Sequence, residues 1–151
     1  MKKSILILNG PNLNMLGTRE PAIYGNTTLD EIIKNSETLA TELGFTITHK
    51  QSNAEHELVA TIQTMSADKN TKGLIINAGA LTHSSIALHD AIKLSALPTI
   101  EVHLSNIFAR EEFRHHSYIS SVARAIFIGA GADGYYFALH FLAKLLNGES
   151  Q

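Results

Sequence analysis

An acid–base pair is the first chemistry that the residue types and their spacing indicate. Glu101 and His103 lie two residues apart at the end of the predicted strand 99–103. Side chains two apart on a β-strand point to the same side, so a glutamate there can orient the imidazole and hold it in one tautomer. A lone histidine is more often a core residue, but this spacing at the carboxyl end of a strand favours catalysis. We therefore predict that His103 transfers protons with Glu101 behind it.

A second group of reactive side chains lies in the segment 9–25. It follows a buried apolar run and is far longer than the usual βα connection of about two to six residues. Its prolines and glycines fix unusual backbone angles, and its asparagines, Arg19 and Tyr24 suit a polar ligand. A guanidinium beside a phenol favours the phenolate, which would make Tyr24 a general base near neutral pH. We therefore expect this segment to cover an active site.

Two further arginines, Arg110 and Arg114, follow His103 in the polar segment 104–117. Arginine on a loop is usually a solvated surface charge. The alternative is that Arg19 and Arg110 reach the same cleft, with Arg114 close behind, and either bind a carboxylate or control the pKa of a neighbouring group. Both interpretations stay open at the level of sequence.

The composition is that of one ordinary globular domain, and we expect a single catalytic domain over 1–151. Of the 151 residues, 44% are hydrophobic and 17% charged, enough for a normal core. A net charge of −2 provides no basic surface for nucleic acid, and no apolar run approaches the length of a membrane span. No signal peptide is recognisable, so we expect a cytoplasmic location.

The cysteine and histidine content limits which catalytic and metal sites the chain can form. The chain has no cysteine, which excludes disulfides, thiol catalysis and zinc–thiolate sites. Its eight histidines lie on separate elements or point in different directions, so they form no convincing metal site. We expect neither a metal nor a cofactor.

Apolar runs and helical periodicities alternate along the chain and predict the elements that must position these residues. Thr28 and Ser84 or Ser85 are predicted helix N-caps, Asp133 caps the last helix, and Gly44 ends the first. The predicted strands are 4–8, 45–49, 73–77, 99–103 and 125–128, and the predicted helices are 28–43, 55–66, 84–94 and 133–146. This order predicts an α/β fold, a flavodoxin-like doubly wound five-stranded parallel sheet with helices on both faces.

The ends of four predicted strands share a chemical character. Ligands of such sheets bind outside the carboxyl ends of the strands, and those ends carry Asn9, Asn53, Asn77 and His103. Asparagine is favoured in turns for conformational reasons alone, which explains one or two of these ends better than all four. We therefore expect all four to face one ligand site.

The segment 129–134 reads GAGADG and formally matches the dinucleotide-binding pattern G-x-G-x-x-G. That pattern binds a dinucleotide at the first βα turn, whereas here it follows the fifth strand. Small residues that let the last helix pack close to the sheet are the better explanation. A non-catalytic nucleotide- or flavin-binding module nevertheless remains the alternative to an enzyme.

Five motifs taken together resemble one known family, the type II 3-dehydroquinate dehydratases. The motifs are 9–25 (NGPNLNMLGTREPAIYG), 51–53 (QSN), 77–83 (NAGALTH), 101–106 (EVHLSN) and 110–117 (REEFRHHS). The resemblance spans essentially the whole chain and implies a flavodoxin-like fold, no cofactor and a homododecamer built as a tetramer of trimers. It also implies dehydration of 3-dehydroquinate to 3-dehydroshikimate, in the shikimate pathway or in quinate breakdown.

The resemblance also implies a role for each matching position. Tyr24 would be the base, Arg19 and Arg110 would stabilise its phenolate, and His103 with Glu101 would protonate the leaving hydroxyl. An enolate would form between these steps, stabilised through Asn12 and a bound water. Substrate contacts would come from Asn77, His83, Leu104, Ser105, Arg114 and, from a neighbouring subunit, Asp90.

Several positions depart from the family pattern. Ala78 and Leu81 stand where proline and tyrosine are expected, and His89 stands where an arginine often precedes the aspartate. After Asn53, the usual His-Glu-Gly is Ala54-Glu55-His56. None of these departures removes a catalytic group. We expect Leu81 to change the packing beside His83, and His89 to alter any subunit contact that depends on arginine.

Overall fold

The structure is a computed structural model that describes residues 2–18, 22 and 26–148. Within those residues a five-stranded sheet is flanked by four α-helices. The strands are β1 (Ser4–Asn9), β2 (Thr46–Gln51), β3 (Thr71–Asn77), β4 (Thr99–His103) and β5 (Ala125–Ile128). The helices are α1 (Leu29–Glu42), α2 (Glu55–Ala67), α3 (Ile86–Ser95) and α4 (Asp133–Leu146).

The strands are all parallel and lie in the order β2-β1-β3-β4-β5. This order confirms the predicted flavodoxin-like doubly wound sheet, with β2 at one edge. The chain winds outward in opposite directions from β1 and β3, so a crevice opens where the loops after these two strands separate. The topology therefore places the expected binding site beside the ends of β1 and β3.

Both faces of the sheet are buried, as the apolar runs predicted. Ile5 and Ile7 of β1 pack on one side with residues of α1 and α4, whereas Leu6 and Leu8 pack on the other side with residues of α2 and α3. All four side chains are fully buried. A strand covered on both faces needs apolar side chains in both directions, which explains why β1 is a continuous apolar run.

The helix ends show where local sequence determines structure. Thr28 accepts a hydrogen bond from the Glu31 N–H (3.2 Å), and Ser85 accepts one from the Leu88 N–H (2.9 Å), so both predicted caps are confirmed. Gly44 follows α1 with φ 91°, in agreement with its predicted role as a stop.

The predicted cap at Asp133 is wrong. Asp133 is the first residue of α4, and Ala132 occupies the N-cap position without a side-chain hydrogen bond. The glycine-rich turn supplies the reason, because the carbonyls of Gly131 and Ala132 already accept from the Gly134 and Tyr135 N–H groups. Backbone groups thus begin this helix in place of a side chain.

The glycine-rich segment 129–134 serves packing. Gly134 is buried, and a Cβ atom at this position would lie 3.2 Å from Cγ1 of Val102 on β4. This is tighter than ordinary van der Waals contact, so the missing side chain lets α4 lie close to the sheet. The packing interpretation of Gly134 agrees with this contact.

Candidate active site

A cavity of about 130 Å³ opens at the carboxyl ends of β1, β3 and β4. This volume suits a small molecule rather than a polymer. Its wall is partly apolar, with Leu13, Leu16 and Ile107 among the apolar side chains, and partly polar. Eight predicted site residues line it, namely Asn12, Asn77, His83, His103, Leu104, Ser105, Arg110 and Arg114. The motifs from four separate segments therefore converge on one cavity.

The predicted pair at the end of β4 is present. Nε2 of His103 lies 2.5 Å from a carboxylate oxygen of Glu101, and the two residues are 5% and 1% exposed. A carboxylate can only accept here, so Nε2 carries the proton. Nδ1 is then the imidazole nitrogen that remains for proton exchange with a ligand.

Two serines that the sequence reasoning did not single out complete this group. The Ser117 hydroxyl donates to the same Glu101 oxygen as His103 (2.8 Å), and the Ser120 hydroxyl donates to the other oxygen (2.5 Å). We call these four residues the strand-four cluster: Glu101, His103, Ser117 and Ser120. Burial raises the pKa of Glu101, but the hydrogen bonds from His103, Ser120 and Ser117 outweigh it and hold the pKa below its ordinary value. Glu101 is therefore an ionised carboxylate buried behind His103.

His83 is held in one tautomer on the cavity wall. Its Nδ1 donates to the backbone carbonyl of His116 (2.8 Å), and its ring lies nearly parallel to that of His103, with centroids 6.5 Å apart. Burial lowers the pKa of His83, and the charges of His103 and Arg114 add to this effect against the hydrogen bond to His116. The neutral ring then offers Nε2 as a hydrogen-bond acceptor.

The two arginines after β4 lie on the cavity wall. An Nη atom of Arg110 donates to the Ser105 hydroxyl (3.3 Å), and Nε of Arg114 donates to the Glu111 carboxylate (2.9 Å). Both guanidinium groups belong to residues that line the cavity. This position favours the interpretation that they recognise an anionic group over that of ordinary surface charges.

The loops that follow β1 and β3 are in direct backbone contact. A Cβ atom at Gly10 would lie 2.3 Å from the carbonyl oxygen of Ala78, and one at Gly79 would lie 2.9 Å from that of Pro11. Gly79 also has φ 59°, a conformation that side chains disfavour. Glycine is thus required at both positions to bring the two loops together at the cavity.

Asn12 has a left-handed backbone conformation, with φ 69°. Asparagine tolerates this conformation better than most residues. Its N–H donates to the Asn53 side chain (3.0 Å), and the Gln51 side chain donates to the Gly10 carbonyl (3.1 Å). The amides that follow β2 therefore support the first loop and do not line the cavity themselves.

A second polar group lies beneath the cavity, and we call it the amide cluster: Asn9, Asn77 and Tyr135. The Tyr135 hydroxyl accepts from Nδ2 of Asn77 (3.0 Å) and donates to Oδ1 of Asn9 (2.5 Å). Asn9 is fully buried and does not line the cavity. Of the four strand ends expected at one ligand site, Asn77 and His103 line the cavity, whereas Asn9 and Asn53 do not and instead hydrogen-bond to neighbouring residues.

The remaining predicted positions lie elsewhere. Arg19 and Tyr24 fall outside the residues that the structure describes. Asp90 is exposed on α3 and does not line the cavity of its own chain. Of the two departures near it, Leu81 packs against the core on the α2–α3 side, and His89 donates from Nδ1 to the Tyr118 carbonyl (2.7 Å).

The described residues contain neither a metal-binding group of side chains nor a helix suited to a membrane. Across 2–18, 22 and 26–148, no group of three or more histidine or acidic side chains is arranged to hold a metal ion. In the same part of the chain, no helix is long and apolar enough to cross a membrane.

Comparison with known proteins agrees with this geometry. The model of the family described as dehydroquinase class II matches residues 3–143. The chain is 58% identical to the 3-dehydroquinate dehydratase of Aeromonas hydrophila, with 91% of each chain covered, and 55% identical to that of Pectobacterium atrosepticum, with 95% and 94% covered. The crystal structure of the type II dehydroquinase from Propionibacterium acnes superposes with a TM-score of 0.89 at 43% identity, covering 95% of this chain and 98% of that one. The chain therefore belongs to the class II dehydroquinase family.

Proposed function

We propose that this chain is a hydro-lyase that removes water from 3-dehydroquinate to give 3-dehydroshikimate. The observation that carries the proposal is the buried Glu101–His103 pair, which is placed at a small-molecule cavity with two arginines on its wall. Membership of the dehydroquinase family and the names of the curated relatives support the choice of substrate.

His103 supplies the acid of this reaction. Its Nε2 proton is committed to Glu101, so the proton on Nδ1 of the imidazolium goes to the leaving hydroxyl. The Glu101 carboxylate stabilises the imidazolium before transfer and keeps the ring in place afterwards. Both functions require that Glu101 be ionised, which the hydrogen bonds from Ser117 and Ser120 favour.

Tyr24 supplies the base, with Arg19 and Arg110 favouring its phenolate. The phenolate removes a proton from the carbon next to the ketone, and an enolate forms. Arg19 and Tyr24 lie outside the described residues, so their roles rest on the family motif 9–25. Asn12, which the structure places on the cavity wall, stabilises the enolate together with a water molecule.

The other cavity residues bind the substrate. Backbone N–H groups of Leu104 and Ser105 suit its carboxylate, and Arg114 adds a positive charge. Asn77 and His83 contact its hydroxyl groups. One proton is taken and one is given, so the reaction needs no change of oxidation state and no cofactor.

Asp90 fits this scheme only as a residue of a neighbouring copy, because it is exposed and away from its own cavity. We therefore propose a homo-oligomer, the dodecamer of the family, in which Asp90 reaches a neighbouring site. Light scattering of the purified protein measures the size directly.

The direct test of the activity is to mix the protein with 3-dehydroquinate and follow the ultraviolet absorbance of the conjugated enone. We expect an increase that depends on the protein, and no increase would contradict the proposed reaction.

A Tyr24→Phe variant tests the base. It should lose most turnover without unfolding, while Tyr136→Phe, a partly exposed tyrosine on α4, should keep it. Near-normal turnover by Tyr24→Phe would refute the base assignment.

A further inference from the structure

A buried tyrosine beneath the cavity has no role in the reaction described above. Tyr135 lies in the first turn of α4 and is fully buried, yet its hydroxyl contacts the ends of two strands. One contact is Asn77 at the end of β3 and the other is Asn9 at the end of β1. These are the two strands beside the crevice, so Tyr135 connects them where the substrate is proposed to bind.

The hydrogen bonds of Asn77 fix which way its amide faces. The Gly79 N–H can only donate, and it lies 3.1 Å from Oδ1 of Asn77. Nδ2 therefore faces Tyr135 and donates one of its two hydrogens to the hydroxyl (3.0 Å). Asn77 is 3% exposed and lines the cavity, so the second Nδ2 hydrogen is the one available to a ligand.

The hydrogen bonds run in one direction from Asn77 through Tyr135 and Asn9 to His49. The Tyr135 hydroxyl has one hydrogen, which it gives to Oδ1 of Asn9, and Nδ2 of Asn9 donates onward to Nε2 of His49 (3.1 Å). Burial lowers the pKa of His49, so the neutral ring accepts this bond. Burial likewise raises the pKa of Tyr135, which keeps it a phenol that cannot serve as an acid or base near neutral pH. The side-chain amides of Asn9 and Asn77 thus each have one preferred orientation in this series of hydrogen bonds.

We propose that Tyr135 is a positioning residue for substrate binding: its hydroxyl holds the amide of Asn77 so that one N–H group faces an oxygen of the substrate. This inference rests on the proposed function, since it assigns a hydroxyl-rich substrate to the cavity. It adds a residue that does not touch the substrate and acts only through Asn77.

The main test is the Tyr135→Phe variant, measured with the enone assay. Without the hydroxyl, the Asn77 amide loses one of the two partners that orient it, so we expect KM to rise about fivefold to tenfold, the loss of one hydrogen bond. We expect kcat to change much less, because the acid and the base are untouched. Tyr136→Phe is the matched control, since its hydroxyl accepts only a surface bond from Asn35 (3.2 Å) and its KM should stay the same.

A double-mutant cycle separates positioning from a general loss of packing. In an Asn77→Ala background, Tyr135→Phe should raise KM no further, because the residue through which it acts is absent. An equal rise in both backgrounds would overturn the proposal, and so would an unchanged KM in Tyr135→Phe. Enone formation by the unsubstituted protein tests the proposed function separately.

A crystal structure of the Tyr135→Phe protein provides a readout that needs no turnover. We expect the Asn77 amide to be turned away from Gly79 or to adopt two orientations. An amide that still accepts from the Gly79 N–H in a single orientation would overturn the proposal. If Tyr135→Phe does not fold, Tyr135→Met replaces it, because it also lacks the hydroxyl and its flexible side chain adapts to the buried space; the same shift of Asn77 supports the proposal and its absence refutes it.

Discussion

The strand-four cluster and the amide cluster are built alike and differ in charge. Each is built around side chains buried at strand ends beside the cavity, and each contains at least one hydrogen bond of 2.5 Å. The strand-four cluster contains an ionised carboxylate that accepts a hydrogen bond from an imidazole. The amide cluster contains two amides and a phenol that remain neutral at physiological pH.

This difference shows how one sheet edge separates two tasks. A carboxylate is costly to bury unless it has partners, and three hydrogen-bond donors surround Glu101. That cost is incurred where the proposed reaction transfers a proton. The neutral network holds Asn77 in place without adding a charge next to the proposed anionic substrate, and its bonds do not change with pH near neutrality.

Removal of the acid should have the largest effect. We expect His103→Ala to lower kcat by about 10² to 10⁴-fold, the usual contribution of a positioned general acid. The enone assay measures this loss, and a thermal unfolding curve checks that the fold persists. His140→Ala on the exposed side of α4 is the control and should retain full turnover. A His103→Ala protein with normal kcat would refute the role of the strand-four cluster.

A break in the amide cluster should affect stability more than chemistry. Asn9→Ala leaves the Tyr135 hydroxyl without its acceptor and Nε2 of His49 without its donor, so we expect the free energy of unfolding to fall by about 1–3 kcal/mol. Urea unfolding at pH 7 measures the change. Asn35→Ala removes a similar but exposed bond to Tyr136 and should change the free energy of unfolding by less than about 0.5 kcal/mol. Equal losses of unfolding free energy in the two variants would show that the buried bonds stabilise the fold no more than the exposed one.

A smaller change should alter the pH dependence of the strand-four cluster. Ser120 lowers the pKa of Glu101, so Ser120→Ala raises it. Because turnover requires the ionised carboxylate, the acid limb of the profile of kcat against pH should shift to higher pH. The maximal kcat, at pH values above this limb, should fall by less than about tenfold. Profiles of kcat against pH compare this variant with Ser121→Ala, the exposed neighbouring serine. Superimposable acid limbs would contradict the proposed effect on Glu101.

The same pKa shift predicts a trend in stability. A carboxylate whose pKa is lowered by folding stabilises the fold above its unfolded pKa, and this contribution disappears as the pH falls through the folded value. Ser120→Ala should therefore reduce the acid-side decline in the free energy of unfolding, which urea titrations at several pH values would measure.

The smallest expected effect is that of a chelator. The described residues contain no metal-binding group of side chains, and the chain has no cysteine. We expect the enone assay to give the same rate before and after dialysis against EDTA. A loss that added divalent metal restores would contradict the expectation that the reaction needs no metal.

The sequence predicted the fold and the local parts of the site well, because those depend on short-range patterns. The bounds of β4 and β5 match, and the Glu101–His103 pair follows from a spacing of two residues on a strand. Motif 101–106 and its neighbours were recognisable for the same reason. Helix caps such as Thr28 and Ser85 act within three residues.

Partners that are distant in sequence could not be predicted from spacing. Ser117 and Ser120 contact Glu101 across 16 and 19 residues, and Tyr135 contacts Asn77 and Asn9 across 58 and 126. Serine at a loop and tyrosine on a helix carry no local signal of such roles. Asn9 faces inward instead of toward the ligand because the hydroxyl from α4 reaches it, a fact that only the packing of α4 on the sheet provides.

The most direct test of the account is to separate proton removal from loss of water. The His103→Ala protein is incubated with 3-dehydroquinate in D₂O, and NMR follows deuterium at the carbon next to the ketone while absorbance follows the enone. If His103 is only the acid, deuterium should enter the substrate while the enone forms far more slowly than with the unsubstituted protein. Loss of both processes, or normal enone formation, would contradict the assignment of the acid to the strand-four cluster.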